Sequence, residues 1–365
     1  MKKVVLLISL LVAGIYAKAQ YVSLNDAEIQ VLKKNIADNG EVKKAFESYR
    51  QTAEQALNEQ PNPIELIVSQ GVLAGNPAKT ASLKSLQDGN KIYALALCYR
   101  LYQQKSYLQK AQDFLLAWAN TNKPNGDPIN ETKLEDMITG YDLIRNNVTT
   151  ESKQQIDSWL IKVAEAEFNS ASAKPGRTTS FNNWNSHRIK TLTLVAFTLH
   201  NTGYEPRIYQ ELEKQINANL NADGSGFDFL ERDALHYHTY TLEPLLRASM
   251  VIYRAGGKNY FSYQSEKGAS IQKSVDFLVP FVTGAKTHGE FVNSKVPFDK
   301  QRAANHEKGY EAGTLFEPAN GVYTLSLAAY FNPAYIKDIQ QVNNIRQKLN
   351  WQLVLDQVMK PVTNN

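Results

Sequence analysis

The sequence predicts an all-α fold, a two-layered helical toroid. Three observations predict it. Apolar residues recur at helical spacing over most of the chain. Strongly apolar helices alternate with amphipathic ones, as "YALALCYRLY" does with "SYLQKAQDFLLAWANT". Strand signals are scarce: no Asn-Gly or Asp-Gly pair is flanked by alternating apolar residues, and "ADGSG" leads into a helix instead. Helices apolar all round suit an inner layer, and amphipathic partners suit an outer layer with one wet face. A repeat solenoid would show a fixed period; none is visible, and the loops are uneven.

Each element follows from local signals. "NDAEIQVLKKNIA" opens on an Asn/Asp cap and continues with helical spacing. "EVKKAFESYRQTAEQAL" follows and stops at "NEQPNP". "LKSLQDGNKIYALALCYRLYQQ", residues 83–104, pairs with "SYLQKAQDFLLAWANT". "LEDMITGYDLIRN" pairs with "TESKQQIDSWLIKVAEAEFNSA", and "RIKTLTLVAFTLHNTG" with "PRIYQELEKQINANL". "TYTLEPLLRASMVIYRAGG" pairs with "GASIQKSVDFLVPFV", and "YTLSLAAYF" with "YIKDIQQVNNIRQKL". No linker interrupts the series, so residues 20–365 read as one toroid domain.

Residues 1–19 read as a signal peptide, with a basic start, a short apolar run and an Ala-x-Ala site at Ala17, Lys18 and Ala19. That run is too short to span a bilayer and no other segment approaches ~20 apolar residues, so the expectation is a periplasmic or secreted protein with no membrane partner. The chain has 365 residues and 43% are hydrophobic, enough for a large core. Its formal charge is +4, and removing Lys2, Lys3 and Lys18 leaves +1, which excludes a nucleic-acid polycation. Cys98 is the only cysteine, so an intrachain disulfide and a four-cysteine zinc site are both excluded. Nothing in the sequence specifies an oligomeric state.

Three polar clusters interrupt the helices. The first, "GDPINETKLED", carries Asn130 and Lys133. The second, "FNNWNSHRIK", carries Asn182, Asn183, Trp184, His187 and Arg188. The third, "ADGSGFDFLERDALHYHTYTLEPLL", carries Arg232, His236, Tyr237, His238 and Tyr240. Arg302 lies further along and adds a cation. In a helix that starts near Trp184, Asn183 and His187 share a face; in one that starts near Ala234, His236 and Tyr240 do.

That set suits an anionic substrate. A tyrosine at its ordinary pKa of ~10 is a poor base, and a nearby Arg or imidazolium favours its phenolate. Asn and His can hydrogen-bond a carboxylate and stabilise the charge that develops beside it. Trp184 offers a flat surface to a sugar ring. A uronic acid polymer presents a carboxylate next to an acidic C–H, and β-elimination removes the C5 proton and expels O4. His236 and His238 point apart at i, i+2 and there is no H-E-x-x-H, so the expected chemistry uses no metal or other cofactor.

From about Lys91 to about Arg254 the chain resembles the alginate lyase superfamily of polysaccharide lyases. The resemblance rests on "IYALALCYRLYQQKSYLQKAQDFLLAWANT", "GDPINETKLEDMITGYDLIR", "NNWNSHR" and "ALHYHTYTLEPLL". It implies an incomplete (α/α) toroid with an open cleft. It implies proton transfer by Tyr240, which matches the last Tyr of Arg-Ala-Leu-x-Tyr-His-x-Tyr. The arginine of that motif falls on Asp233, so its role passes to Arg232 one position earlier. The family's Asn-His pair maps onto Asn183 and, one helical turn on, His187. Asn130, Lys133, Asn182, Trp184, Arg188, His236, Tyr237, His238 and Arg302 complete the expected binding set.

Two other functions remain open to the sequence. A helical-toroid glycoside hydrolase needs two carboxyl groups about 5 Å or ~6.5–9.5 Å apart across the scissile bond. Glu131, Asp136, Asp228, Glu231, Asp233 and Glu307 are available for that. A polysaccharide-binding protein without catalysis would keep Trp184 and the cations but have no need of Tyr240.

Overall fold

A computed structural model describes residues 20–342 and 349–359 of the chain. The signal-peptide reading of residues 1–19 lies outside the described residues. Among the described residues no helix is long and apolar enough to cross a membrane.

Helices α1 (Asp26–Asp38), α2 (Gly40–Ala56) and α3 (Pro77–Ser85) come first. Inner and outer helices then alternate. Inner α4 (Gln87–Tyr102) is followed by outer α5 (Lys105–Thr121) and the short α6 (Pro128–Glu131). Inner α7 (Glu135–Ile144) pairs with α8 (Thr150–Phe168), and α9 (Asn183–Leu199) with α10 (Glu205–Asn219). The short α11 (Phe227–Arg232) leads to inner α12 (Leu235–Arg254) and outer α13 (Ile271–Val282). After α14 (Pro297–Ala304), inner α15 (Val322–Ala329) pairs with α16 (Tyr335–Gln341), and α17 (Trp351–Val358) packs on α15, α1 and α2.

The alternation read from the sequence is the layering of the fold. Every residue of α9 from Asn185 to Thr198 is buried, because the inner helix meets neighbours on all sides. Its partner α10 buries Ile208, Leu212, Gln215, Ile216 and Asn219, a single stripe at helical spacing. The fold is an incomplete (α/α) toroid. One predicted boundary differs: the helix over residues 83–104 is two, α3 and α4, interrupted at Leu86 although its backbone stays helical (φ −64°, ψ −13°). The helix expected after "ADGSG" is the short α11; α14 and α17 carry too few turns to show a periodic signal and were not expected.

The inner helices run in a common direction. The later residues of α4, α7 and α12 converge on residues 20–28, which cross the floor of the toroid. Arg254 donates to the Ser23 carbonyl (2.7 Å) and to both Glu28 oxygens (2.8 and 2.6 Å). Arg247 donates to the Val22 carbonyl (3.0 Å), and Arg100 to Gln20 (3.0 Å) and Asp26 (2.6 Å). Asp142 accepts from the Ser23 N–H (2.9 Å). The opposite end, where α7, α9 and α12 begin, is left to the cleft.

Candidate active site

The starts of α7, α9 and α12 surround an open pocket of about 260 Å³. Its walls carry Lys133, Asn183, Trp184, Arg232, His236, Tyr237, Tyr240 and Arg302, with Tyr310, Phe298 and residues 69–71 completing them. Among the described residues no aspartate or glutamate lines it.

Asn182 is the N-cap of α9 and accepts from the Trp184 N–H (3.0 Å), so Asn183 becomes the first helical residue and its side chain faces the pocket. Beneath it lies the buried Asp228 carboxylate. It accepts from the Asn183 N–H (3.1 Å) and amide side chain, from Asn219 (2.8 Å) and from Thr241 (2.8 Å). A carboxylate only accepts, so Asp228 fixes which end of the Asn183 amide turns toward it.

The start of α12 is held differently. Ala234 offers no side-chain cap, and Glu290 accepts from the Leu235 N–H (2.8 Å) and the His236 N–H (2.9 Å) in its place. Just before it, Asp233 takes a left-handed conformation (φ 49°, ψ 50°) that reverses the chain between α11 and α12. Its carboxylate accepts from the backbone and side chain of Asn293 (2.9 Å each). The position where the family motif has its arginine is therefore a turn residue turned toward the 293 loop.

From that start His236, Tyr237 and Tyr240 all reach the pocket. The rings of His236 and Tyr240 lie 6.3 Å apart and within 7° of parallel, as the four-residue spacing predicts. His236 is exposed, and neither of its ring nitrogens is hydrogen-bonded to another described residue. Desolvation in the cleft, then Arg302 and Arg232, lower its pKa, a shift that its exposure to solvent tempers. The Tyr240 hydroxyl is likewise unclaimed by any described residue.

The expectation that cations would lower the Tyr240 pKa is not met. Burial raises it, and Tyr237 and Glu243 add to that; Arg302 opposes them and loses. Tyr240 therefore rests as a neutral phenol.

The arginines are present but committed. Arg232 stacks 3.8 Å over the Tyr237 ring and pairs with Asp299. Arg302 donates to the hydroxyls of Tyr237 (2.6 Å) and Tyr310 (2.9 Å). Lys133 is the lining cation with no partner among the described residues; desolvation in the cleft, then Lys190 and Lys79, lower its pKa, a shift that its exposure tempers.

His187 sits one layer back. Its ring is buried against Tyr240, centroids 4.2 Å apart, and Nδ1 shares a hydrogen bond with Thr132 (2.9 Å). Its buried Nε2 has no well-formed hydrogen bond to a described residue, though the Tyr240 backbone lies close enough to oppose the pKa shift. Burial, then Lys190 and Lys133, push its pKa well down, so it is neutral. It backs the tyrosine rather than lining the opening.

Four expected binding residues are not at the pocket surface. Asn182 is spent as the cap. Asn130 accepts from the Ser69 N–H and hydroxyl (2.8 Å each) and holds the 69–71 wall from behind. Arg188 faces outward from α9, bonded to Asn185 (2.9 Å) and Glu211. His238 turns toward α13, where Nε2 meets the Ser274 carbonyl (2.9 Å) and the ring packs on Phe277, because two residues of helix rotate a side chain by about 200°. Sequence reasoning missed Thr132, Tyr310 and the 69–71 wall. Only their positions in the fold bring them here. At one end the walls meet: Ala74 N–H donates to Glu307 (2.7 Å), and Asn305 to the Ala74 carbonyl (3.1 Å).

Among the described residues, none of the carboxylates a hydrolase would need lines this pocket. Asp228 lies under Asn183, Asp233 on Asn293, and Glu131 accepts from the N–H groups of Asn125 (2.6 Å) and Gly126 (2.9 Å). Among the described residues no three His, Cys, Asp or Glu side chains converge as a metal-ligand group.

Comparison with solved structures finds the same architecture in alginate lyases. An alginate lyase from Bacteroides ovatus superposes with a TM-score of 0.66 at 18% identity, covering 90% of this chain and 97% of that one. Alginate lyase A1-III from Sphingomonas species A1 gives 0.62 at 18%, covering 87% and 89%. A variant of A1-III with phenylalanine in place of a tyrosine, complexed with a tetrasaccharide, gives 0.57 at 19%, covering 73% and 79%. Comparison with curated proteins finds no match. The family model described as alginate lyase matches residues 32–288, most of the chain. The toroid and the family match agree, and the chain belongs to the alginate lyase family, a family of polysaccharide lyases.

Proposed function

We propose that this polysaccharide lyase cleaves alginate by β-elimination at mannuronate, with Tyr240 as the proton-transfer residue. The observation that carries the reading is a pocket with an unclaimed tyrosine hydroxyl and no carboxyl side chain. A glycosidase mechanism has no acid and base there. Lys133 meets the uronate carboxylate together with the second N–H of the Asn183 amide, the first being held by Asp228, and Trp184 supports a sugar ring.

In mannuronate the C5 proton and O4 lie on the same side of the ring, so one oxygen can serve both. Because burial keeps Tyr240 protonated, the step is an exchange. The phenol passes its proton to O4 as the C4–O4 bond breaks, and the same oxygen takes the proton from C5 as the C4=C5 bond forms. No standing phenolate is required. Glucuronate differs from mannuronate only at C2, and the same exchange reaches it. His187 supports the tyrosine from behind. The protein is exported on its leader, and the reaction needs no added metal.

Ultraviolet absorbance of the products tests the reading. Elimination leaves a double bond conjugated to the carboxylate; the expected result is a rise in absorbance with polymannuronate, and with glucuronan as the comparison substrate. The rise persists after dialysis against a chelator. New reducing ends without absorbance would overturn elimination.

A further inference from the structure

We propose that Pro244 is a positioning residue for the elimination step: it frees the main-chain carbonyl of Tyr240 to hold His187, and so fixes the imidazole that backs the Tyr240 ring. This rests on the elimination reading above. Pro244 stands inside α12, a position where proline is strongly disfavoured. Proline has no N–H, so the carbonyl four residues earlier loses its helical partner. That carbonyl belongs to Tyr240.

A freed carbonyl needs another donor where water is excluded. The outer helix α13 shows the easier case. Pro280 frees the carbonyl of Asp276 there, and Asp276 is exposed, so water can serve it. Around Tyr240 the inner helix is buried: Thr239 and Thr241 are 6% and 2% exposed. The donor at hand is His187. Its ring centroid lies 4.2 Å from that of Tyr240. Its buried Nε2 has no other claim on it among the described residues, and the Tyr240 main chain is near enough to oppose the fall in its pKa. Two leftover groups, one donor and one acceptor, thus lie side by side.

This pairing decides the tautomer. A neutral imidazole that gives its Nε2–H to a carbonyl has no proton on Nδ1. Nδ1 then accepts from the Thr132 hydroxyl at 2.9 Å. The imidazole becomes a cross-brace carried by α9. One nitrogen holds the main chain of Tyr240; the other holds the 3₁₀ turn Thr132–Leu134, which carries Lys133. The proton-transfer residue and the cation for the uronate carboxylate are tied together through one ring. Any other residue at position 244 returns an N–H to the helix, which reclaims the carbonyl. Nε2 is then left without an acceptor, and the back wall of the phenol loosens.

The test uses Pro244→Ala and Pro244→Val, which both restore the N–H; valine also keeps most of the volume if the smaller side chain does not fold. Pro280→Ala is the control for losing a helix proline. The tautomer is read without substrate, by ¹⁵N NMR of histidine-labelled full-length protein, the His187 signal being assigned by its loss in His187→Gln. Turnover is read by product absorbance on polymannuronate. Wild type should carry the proton on Nε2. In the Pro244 variants that preference should be lost, and kcat per folded molecule should fall roughly 10-fold or more, as for a misplaced catalytic group. KM should stay within about 2-fold, and Pro280→Ala should keep both kcat and tautomer. A wild-type proton on Nδ1 overturns the proposal. So does a Pro244 variant that keeps its kcat, or one that loses kcat with the tautomer unchanged. Wild type that gives no absorbance rise overturns the elimination reading, and the positioning role with it.

Discussion

The floor and the mouth of the toroid use similar residues to opposite ends. At the floor, Arg100, Arg247 and Arg254 are buried and every one is tied to residues 20–28. At the mouth, Lys133, His236 and Tyr240 share a pocket and leave their polar atoms unclaimed. A buried polar group must be satisfied by the protein or by a ligand. The floor takes the first course; at the mouth Lys133 and His236 are exposed and Tyr240 half-buried, so water or a ligand can meet their polar atoms. Partner lists therefore separate structural from functional residues where residue type does not.

Breaking each end should break a different property. The largest effect belongs to the mouth: Tyr240→Phe should cut kcat by ~10²–10⁴-fold or more, with the melting temperature nearly unchanged, measured by product absorbance and circular dichroism. Near-wild-type turnover in Tyr240→Phe with a dead Tyr237→Phe would move the chemistry to Tyr237. At the floor, Arg254→Met leaves Glu28 buried without its cation and should cost about 3–5 kcal/mol in denaturant unfolding. Its kcat per folded molecule should not change; a large loss of kcat would sink the distinction between the two ends.

A histidine that belongs to neither end sharpens the comparison through pH. Burial depresses the His238 pKa to about 4, with the Ser274 carbonyl opposing. The unfolded chain binds its proton near ~6.5, so the contribution is full above that pH and is lost as pH falls to about 4. It amounts to about 3 kcal/mol at most. In His238→Gln the slope of stability against pH between those limits should flatten; an unchanged slope would refute it. The smallest effect is at Asn182→Ala, where a lost helix cap should cost about 1 kcal/mol. KM should stay put, and a several-fold rise in KM without a drop in melting temperature would restore Asn182 as a substrate contact.

The layering was legible because period and burial are local properties. "YALALCYRLY" is apolar all round, and from Ile92 to Leu101 every residue is buried. The site was legible where helical spacing decides direction, as for His236 with Tyr240; His187, expected beside Asn183, lies buried behind Tyr240 instead. It was not legible where a side chain's partner lies far along the chain. Arg188 reads as a cleft cation until Glu211 claims it. Arg232 reads as free until Asp299 does, 67 residues away. Tyr240 was expected to be acidified, but desolvation depends on walls built by other segments. Thr132 and Tyr310 carry no local signal, since one is a residue of a short 3₁₀ turn and the other lies in a loop.

The strap across the floor also sets an order of events. Tyr21 and Ser23 are among the first described residues to be synthesised, yet their partner Arg254 follows 233 and 231 positions later. Loop closure over such a span is slow relative to local helix formation. The helical hairpins can form as the chain emerges, but the ring is not locked until α12 is complete. The early product is a set of paired helices with an open floor and exposed apolar faces, the state most at risk of aggregation. Truncation before α12 should therefore yield an insoluble chain rather than a smaller stable one.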